Sequence, residues 1–194
     1  MPNDSSTGGY LSPVSSRPVE DDAFEDFVGN VVAGITGLVR AMVRPRLQSK
    51  PPPHPDITTN WCAIGITTIV SDYGTVKIHH PEGQGSDEQQ RHDTVDLLAS
   101  FYGPGAYSLA SRLRDGLMVA QNREAMRAAG VNLLESTRMR TASDLLNERF
   151  IRRVDLEIRL RRAFVRTYPI LSVLSVNGAF QAQDGETQPF TVEN

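Results

Sequence analysis

The sequence has almost no cysteine, since Cys62 is the only one among its 194 residues. One cysteine cannot form a disulfide within the chain, so the fold must be held together by packing or by assembly. Cys62 stands in the apolar run Trp61-Cys62-Ala63-Ile64, and free cysteine is among the residues most often buried. We therefore interpret Cys62 as a small core residue and not as a nucleophile.

A hydrophobic run long enough to cross a membrane is also absent. The most apolar early stretch, residues 28–43, contains three glycines, an asparagine and an arginine. It is also shorter than the roughly 20 residues that a membrane-spanning helix needs. Residues 1–16 are polar, so we expect no secretory signal. These features predict a protein that is made in the cytoplasm and has no membrane partner.

Familiar catalytic and cofactor motifs are missing as well. The sequence contains neither a Gly-x-Ser-x-Gly nucleophile motif nor a glycine-rich loop with the lysine of a phosphate-binding site. The turn at 103–105 is glycine-rich, but we interpret it as a junction between a strand and a helix. We therefore predict no catalytic residue and no cofactor.

One group of residues has metal-ligand chemistry, but its spacing is that of no zinc signature. Adjacent histidines on a strand point to opposite faces, so His79 and His80 cannot easily share an ion. We interpret the group as solvated residues at a strand end and in a loop. A small metal-dependent hydrolase is kept as a minor alternative. The group comprises His79, His80, Glu82, Asp87, His92 and Asp93.

Neither sign of charge dominates the chain, which has 20 basic and 23 acidic residues and a net charge of −3. No global positive field therefore attracts nucleic acid. Residues 149–166 are nevertheless rich in arginine. Three interpretations remain open: a charged strand face in which Asp155 and Glu157 pair with neighbouring arginines, a subunit interface, or a stripe that contacts DNA phosphates. The interface candidates are Arg149, Arg152, Arg153, Arg159, Arg161 and Arg162.

The first third of the chain predicts an arm, a helix and a connector. Residues 1–19 are rich in serine, glycine and proline and are predicted to be a flexible arm. Residues 20–43 begin with three acidic residues and repeat apolar residues every three or four positions, which predicts a helix that Pro45 ends. Residues 50–55 are proline-rich and predict an extended connector.

The central part predicts strands followed by a second helix. We expect strands at 61–70 and 75–79, a polar loop at 81–91, and a half-buried strand at 93–102 with Val95, Leu97, Ala99 and Phe101 on one face. A helix is predicted from the turn at 103–105 to about residue 128, with Leu109, Leu113, Leu117 and Ala120 on its inner stripe and Gly130 as its cap.

The last third predicts further strands. Residues 131–134 form a short strand, an irregular stretch follows to residue 145, and 148–166 alternate as one long strand. Residues 168–176 are predicted to return antiparallel to it. The order of elements predicts an α+β fold with a mostly antiparallel β-sheet and helices packed on one face. We expect residues 20–178 to form this domain and 179–194 to be a polar C-terminal tail.

Several of these segments together resemble the neck and tail-terminator proteins of tailed bacteriophages. The likeness covers residues 61–175 and depends on the order and spacing of four blocks. They are Ser100-Phe101-Tyr102-Gly103-Pro104-Gly105-Ala106, Leu113-Arg114-Asp115-Gly116-Leu117, the pair Gln121-Asn122-Arg123-Glu124 and Ala128-Ala129-Gly130-Val131, and Asn147-Glu148-Arg149-Phe150-Ile151-Arg152-Arg153-Val154-Asp155-Leu156-Glu157-Ile158.

The resemblance implies a structural virion protein that forms a ring, expected to be a hexamer, at the head-proximal end of the tail. Such a ring ends tail-tube polymerisation and joins the tail to the head connector. Its expected partners are copies of itself, tail tube and sheath proteins, and head connector or stopper proteins, with at most non-specific DNA in the lumen. It is expected to assemble in the host cytoplasm. A head-completion or connector protein of the same particle is the alternative.

The resemblance also suggests physical roles for three positions. Phe101 and Tyr102 are expected to end a strand with one ring on each face. Asp155 is expected to hold an arginine such as Arg153 or Arg159.

Overall fold

Long strands with alternating apolar residues form much of the structure, a computed structural model that describes residues 3–15, 19–146, 148–173, 175–181 and 187–193. Parts of four predicted segments lie outside these described residues. They are residues 1–2 and 16–18 of the arm, Asn147 of the fourth block, Leu174 of the predicted strand 168–176, and residues 182–186 and 194 of the tail.

The described part of the chain contains three α-helices and nine strands. The helices are α1 (Asp21–Thr36), α2 (Ala106–Gly116) and α3 (Glu124–Ala128). The strands are β1 (Val43–Pro45), β2 (Trp61–Ser71), β3 (Val76–His80), β4 (Ser86–Tyr102), β5 (Val131–Glu135), β6 (Met139–Leu146), β7 (Arg149–Tyr168), β8 (Ser175–Gln181) and β9 (Thr187–Glu193). Short 3-10 turns cover Arg40–Met42 and Gln121–Arg123.

The chain divides into two compact units. The larger unit contains residues 17–74 and 91–164, and the smaller contains residues 1–16, 75–90 and 165–194. Within the larger unit the strand order is β1-β2-β4-β7-β5, and β6 pairs with the same edge of β7 as β5. β1 is parallel to β2, whereas β2 with β4, and β5 and β6 with β7, are antiparallel. The predicted α+β class with a mostly antiparallel sheet is confirmed.

One face of the larger unit's sheet, here called the inner face, carries the apolar core. Successive side chains of a strand point to opposite faces, and the apolar positions of β2, β4 and β7 fall on the face that α1 and α2 cover. The predicted alternation in β4 and β7 is confirmed. Members of this core include Phe24, Val28 and Val32 of α1, Ala110 and Leu113 of α2, Cys62 and Ile64 of β2, Val95, Leu97, Ala99 and Phe101 of β4, and Val154, Leu156, Ile158 and Leu160 of β7.

The first helix is shorter than predicted. It ends at Thr36, because Gly37 adopts a left-handed conformation (φ 77°) and donates its backbone N–H to the carbonyl of Ala33. The predicted extension to residue 43 was wrong, since a glycine in this conformation ends a helix. Residues 43–45 form β1 instead.

The second predicted helix is broken. α2 ends at Gly116, whose carbonyl accepts a hydrogen bond from Asn122 Nδ2 at 2.9 Å. The backbone of Met118 then donates to Asp115, which tightens the chain out of the α-helical repeat. The prediction that Ala120 lies on a buried stripe was therefore wrong, since Ala120 is exposed.

Three other segments differ from their predictions. The predicted loop at 81–91 is partly strand, because β4 begins at Ser86 and pairs with β3. The stretch predicted as irregular contains β6, which pairs with β7 from Met139 to Leu146. The predicted antiparallel return at 168–176 was wrong, since β7 continues to Tyr168 and β8 pairs with β9. In the first two segments apolar and polar residues do not alternate clearly, so the sequence gives little sign of strands that depend on pairing with a partner strand.

The smaller unit contains two hairpins and part of the predicted arm. β3 pairs with residues 86–90 of β4, and β8 pairs with β9. The segment 3–15 lies beside the end of β7, where Val14 donates its backbone N–H to Thr167 at 2.8 Å and Ser5 donates to Pro169 at 3.2 Å. Residues 179–181 and 187–193 of the predicted tail are in β8 and β9.

Candidate subunit interface

The sheet face opposite the helices, here called the outer face, carries several of the arginines that the sequence singled out. Along β7 the odd-numbered residues point to this face, and the corresponding residues of β4 are even-numbered. Contacts join Asp96 to Arg159 and Thr94 to Arg161. Their order reverses between the two strands, as expected for an antiparallel pair.

A largely buried ion pair lies at the centre of the outer face. Arg153 donates from Nε and Nη2 to the two carboxylate oxygens of Asp155, both at 2.8 Å. Arg153 also donates from Nη1 to Asp144 at 3.2 Å. Only 9% of Asp155 is exposed. Two parallel N–H···O bonds fix an arginine in direction as well as in position. The expectation that Asp155 holds a neighbouring arginine is therefore confirmed for Arg153.

The Asp155 carboxylate is further held by groups from two other segments. Ser100 of β4 donates its hydroxyl to Asp155, and Arg46 donates from Nη1 to Ser100 Oγ at 2.9 Å. Burial alone would raise the pKa of Asp155, but the hydrogen bonds from Arg153 and Ser100 outweigh it and the pKa lies below its ordinary value. The same pairing raises the pKa of Arg153 against an opposing effect of burial. Both groups are therefore charged near neutral pH.

Further along β7 the ion pairs are more exposed. Arg159 donates from Nε to Asp96 at 2.7 Å and has Glu135 Oε2 at 3.8 Å from its Nη1. Arg161 donates from Nη2 to Asp72 at 2.6 Å. Exposed pairs of this kind contribute little to stability. They do determine the pattern of charge that the outer face presents.

Positive and negative charges on the outer face are nearly balanced. Glu157 lies 3.8 Å from both Arg138 and Arg140. This agrees with the interpretation of a charged strand face in which Glu157 pairs with neighbouring arginines. A phosphate-binding stripe needs cations that are free to replace counterions, whereas these arginines already contact carboxylates. The ion-paired side chains are Arg138, Arg140, Arg153, Arg159 and Arg161 with Asp72, Asp96, Glu135, Asp144, Asp155 and Glu157.

The six predicted interface arginines do not form one surface. Arg153, Arg159 and Arg161 lie on the outer face in the ion pairs just described. Arg149 and Arg152 are exposed at the start of β7. Arg162 is buried on the inner face, where its guanidinium lies 4.2 Å from the ring centres of both Phe24 and Phe164. The tertiary structure thus separates these arginines into three environments.

An aromatic cluster that sequence reasoning missed covers one end of the outer face. The rings of Trp61 and Tyr102 stack at 4.3 Å with an angle of 7°, and Ile151 packs with them. His54 of the proline-rich connector meets the Trp61 ring edge-on at 4.9 Å. The sequence signal for this cluster was the proline-rich connector at residues 50–55, which precedes the strand that begins at Trp61. Phe101 packs on the inner face and Tyr102 in this cluster, so the expected ring on each face is confirmed.

The histidines of the smaller unit are tied to individual neighbours. His79 Nδ1 lies 2.6 Å from Asp87 Oδ1, and its Nε2 lies 2.9 Å from Ser172 Oγ. The backbone N–H of Ser172 is donated to the carbonyl oxygen of Gln84 at 2.9 Å. His80 lies 3.9 Å from Glu88. Among the described residues no three His, Cys, Asp or Glu side chains are placed to hold one metal ion.

Two other sequence features can be placed in the structure. Cys62 is fully buried, as predicted, and burial raises the pKa of its thiol, which disfavours the reactive thiolate. In the part of the chain that the structure describes, none of the helices has the length and apolar composition for a membrane crossing.

The fold and the outer face define a class of protein: an α+β domain whose sheet presents a broad, charge-balanced surface. A family model described as "phage neck terminator protein" matches residues 22–184. The chain therefore belongs to the phage neck terminator family. It is a structural protein of the phage neck and a component of the virion. The match extends the likeness found at 61–175 to α1 and to residue 184. No curated protein matches the chain significantly.

Proposed function

We propose that the protein assembles into a closed ring, expected to be a hexamer, at the head-proximal end of the phage tail. The ring ends polymerisation of the tail tube and offers a second surface to the head connector. Its neighbours are copies of itself, tail tube and sheath proteins, and head connector or stopper proteins. It assembles in the host cytoplasm, and DNA passing through its lumen makes at most non-specific contacts.

The observation that carries this proposal is the match of the neck terminator family over residues 22–184. The charge-balanced outer face is consistent with it, because paired charges suit contacts between proteins better than contacts with phosphates. A ring uses different patches of one subunit to meet its two neighbours. Repetition of modest contacts around the ring then gives a stable joint.

A phage with a stop codon early in this gene tests the proposal. We expect electron micrographs to show DNA-filled heads without tails and free tails of irregular length, because nothing ends the tube. A plasmid copy of the gene should restore normal particles. Tails of normal length together with heads that lose their DNA would instead indicate a head-completion protein and contradict the role in termination.

Antibody labelling of wild-type particles supplies an independent measurement. Label is expected at the junction of head and tail. Label at the distal tip of the tail, or no label on purified virions, would contradict a role in the neck ring.

A further inference from the structure

An open acidic groove lies at the β1 edge of the larger unit. Asp22, Glu25 and Asp26 of α1 form one wall, Pro45 and residues 47–50 form the other, and the groove encloses about 540 Å³. Among the described residues that line it, Lys50 is the only cation. Asp26 forms an ion pair with Arg40. Within the described residues neither Asp22 nor Glu25 has an ion-pair partner, so the groove presents uncompensated negative charge.

The same groove exposes an apolar side chain. Leu47 lies in its wall with 81% of its surface exposed. A large apolar side chain beside unpaired carboxylates suits a partner that combines an apolar group with positive charge.

A patch with that composition lies at the start of β7. Leu145 and Phe150 face each other across the β6–β7 pair and leave 65% and 80% of their surfaces exposed. Arg152, two residues after Phe150 on the same face of the strand, is exposed, and so is Arg149, which begins the strand and alternates with Phe150 to its other face. Aromatic residues and arginine are the types most enriched at the centres of protein interfaces. We call these four residues the tip patch.

The groove and the tip patch lie at opposite edges of one sheet. β1, which leads into the groove, is at one edge, and β6, which carries Leu145, is at the other, with β2, β4 and β7 between them. Four strand spacings amount to about 19 Å. The two surfaces therefore do not meet within a subunit. Two different patches on opposite sides of a subunit are what head-to-tail contacts in a ring require.

We propose that the tip patch of one subunit docks into the acidic groove of a second copy. Phe150 contacts Leu47, while Arg149 and Arg152 face Asp22 and Glu25. The inference rests on the proposed ring and adds the two surfaces that join neighbouring subunits.

Charge reversal on each side of this contact tests the pairing. The tip variant combines Arg149→Glu with Arg152→Glu, and the groove variant combines Asp22→Arg with Glu25→Arg. In each variant alone both surfaces carry the same sign, so we expect rings of the full-length protein to dissociate to monomers. Light scattering after size-exclusion chromatography measures this, and circular dichroism checks that each variant is folded.

An equimolar mixture of the two variants provides the sharpest measurement. The acidic tip of one then meets the basic groove of the other, and the unchanged surfaces also match. We expect rings in which the variants alternate, seen by native mass spectrometry as equal numbers of each. A control variant with Arg91→Glu and Arg127→Glu has the same change in net charge as the tip variant, on exposed arginines outside the patch, and it should form rings as the wild type does.

The outcomes separate this inference from the proposed function. If both variants form rings as the wild type does, or if folded monomers of both stay monomeric when mixed, the pairing is wrong while the ring stands. A monomeric wild-type protein would contradict the ring itself and the pairing with it. Should a charge variant fail to fold, Phe150→Ala at its exposed position replaces it. That substitution should raise the dissociation constant about tenfold or more, and an unchanged constant would overturn the pairing.

Discussion

The inner and outer faces of the larger unit's sheet are formed by the same strands but are stabilised differently. On β7 the inward side chains Val154, Leu156 and Leu160 are almost fully buried, whereas the outward side chains Arg153 and Arg159 are engaged in ion pairs. Apolar burial is the main favourable contribution to folding. A buried ion pair gains little net stability, because desolvation offsets its attraction. We therefore expect the inner face to determine stability and the outer face to determine what the surface presents.

The largest effect is expected from a substitution on the inner face. Leu156→Ala removes a side chain with no exposed surface, so the free energy of unfolding should fall by about 3 kcal/mol. Leu134→Ala is the control, because Leu134 is 52% exposed, and should change it by less than about 0.5 kcal/mol. Urea denaturation followed by Trp61 fluorescence measures both. Equal effects would contradict the assignment of stability to the inner face.

The next effect concerns the buried pair of the outer face. Asp155→Asn keeps the shape of the side chain but removes the charge that Arg153 contacts, and should lower the free energy of unfolding by about 2 kcal/mol. Glu157→Gln, on the same strand and face, should have little effect, since Glu157 is more exposed and its arginines lie 3.8 Å away. Denaturant unfolding of the two variants makes the comparison. If Glu157→Gln lowered the free energy of unfolding more than Asp155→Asn, the pair of Arg153 and Asp155 would not be the one that stabilises the outer face.

A substitution of Gly65 tests how closely Arg46 packs against the outer face at this position. A Cβ at this position would lie 2.8 Å from Cβ of Arg46. Gly65→Ala should therefore lower the free energy of unfolding by about 1–2 kcal/mol, since the neighbouring chain must move. Gly34→Ala lies in α1 with no atom near the added methyl group and should raise it by about 0.5–1 kcal/mol. Thermal unfolding of both variants measures these changes. A Gly65→Ala variant as stable as the wild type would contradict the close contact with Arg46.

Acid should weaken the contribution of Asp155. Its pKa is lower in the folded protein than in the unfolded chain, where it is about 3.9. Stability from this group is therefore fully present above that value and is lost as the pH falls through the folded pKa. The difference in unfolding free energy between wild type and Asp155→Asn should be constant from neutral pH to about pH 5 and shrink below about pH 4. A difference that grows in acid would contradict the lowered pKa.

The smallest effect is expected from an exposed pair on the outer face. Arg161 and Asp72 are in contact at 2.6 Å, but 37% and 41% of their side chains are exposed. A double-mutant cycle with Arg161→Ala and Asp72→Ala should give a coupling free energy below about 1 kcal/mol that decreases with added salt. A coupling as large as the effect of Asp155→Asn would remove the distinction between the buried and exposed parts of this face.

Much of the core could be predicted from the sequence because strand periodicity is local. Val95, Leu97, Ala99 and Phe101 alternate with polar residues, and the pattern alone indicates that they share a face. The resemblance to the neck terminator family likewise depended on local blocks and their order. The helix ends were predicted less well, because Gly37 and the contact of Asn122 with Gly116 override a continuing apolar pattern.

The candidate interface could be predicted only in part. The sequence showed that β7 is rich in arginine. It did not show that two of these arginines, Arg153 and Arg162, lie on opposite faces of the sheet and in different surroundings. The aromatic cluster of Trp61, Tyr102 and His54 brings together distant segments. The connector before Trp61 is a local signal, but it does not specify the contact, which depends on how β2 and β4 pair and on where the connector packs.

The sequence by itself determined the α+β class, the alternation of β4 and β7 and the burial of Cys62, because these follow from the chemistry and spacing of neighbouring residues. Only the tertiary structure decided that Asp155 holds Arg153, that Arg159 meets Asp96, and that an acidic groove and a basic, apolar patch occupy opposite edges of one sheet. Those relations depend on strand pairing between residues far apart in the chain, which the period of a single strand does not specify.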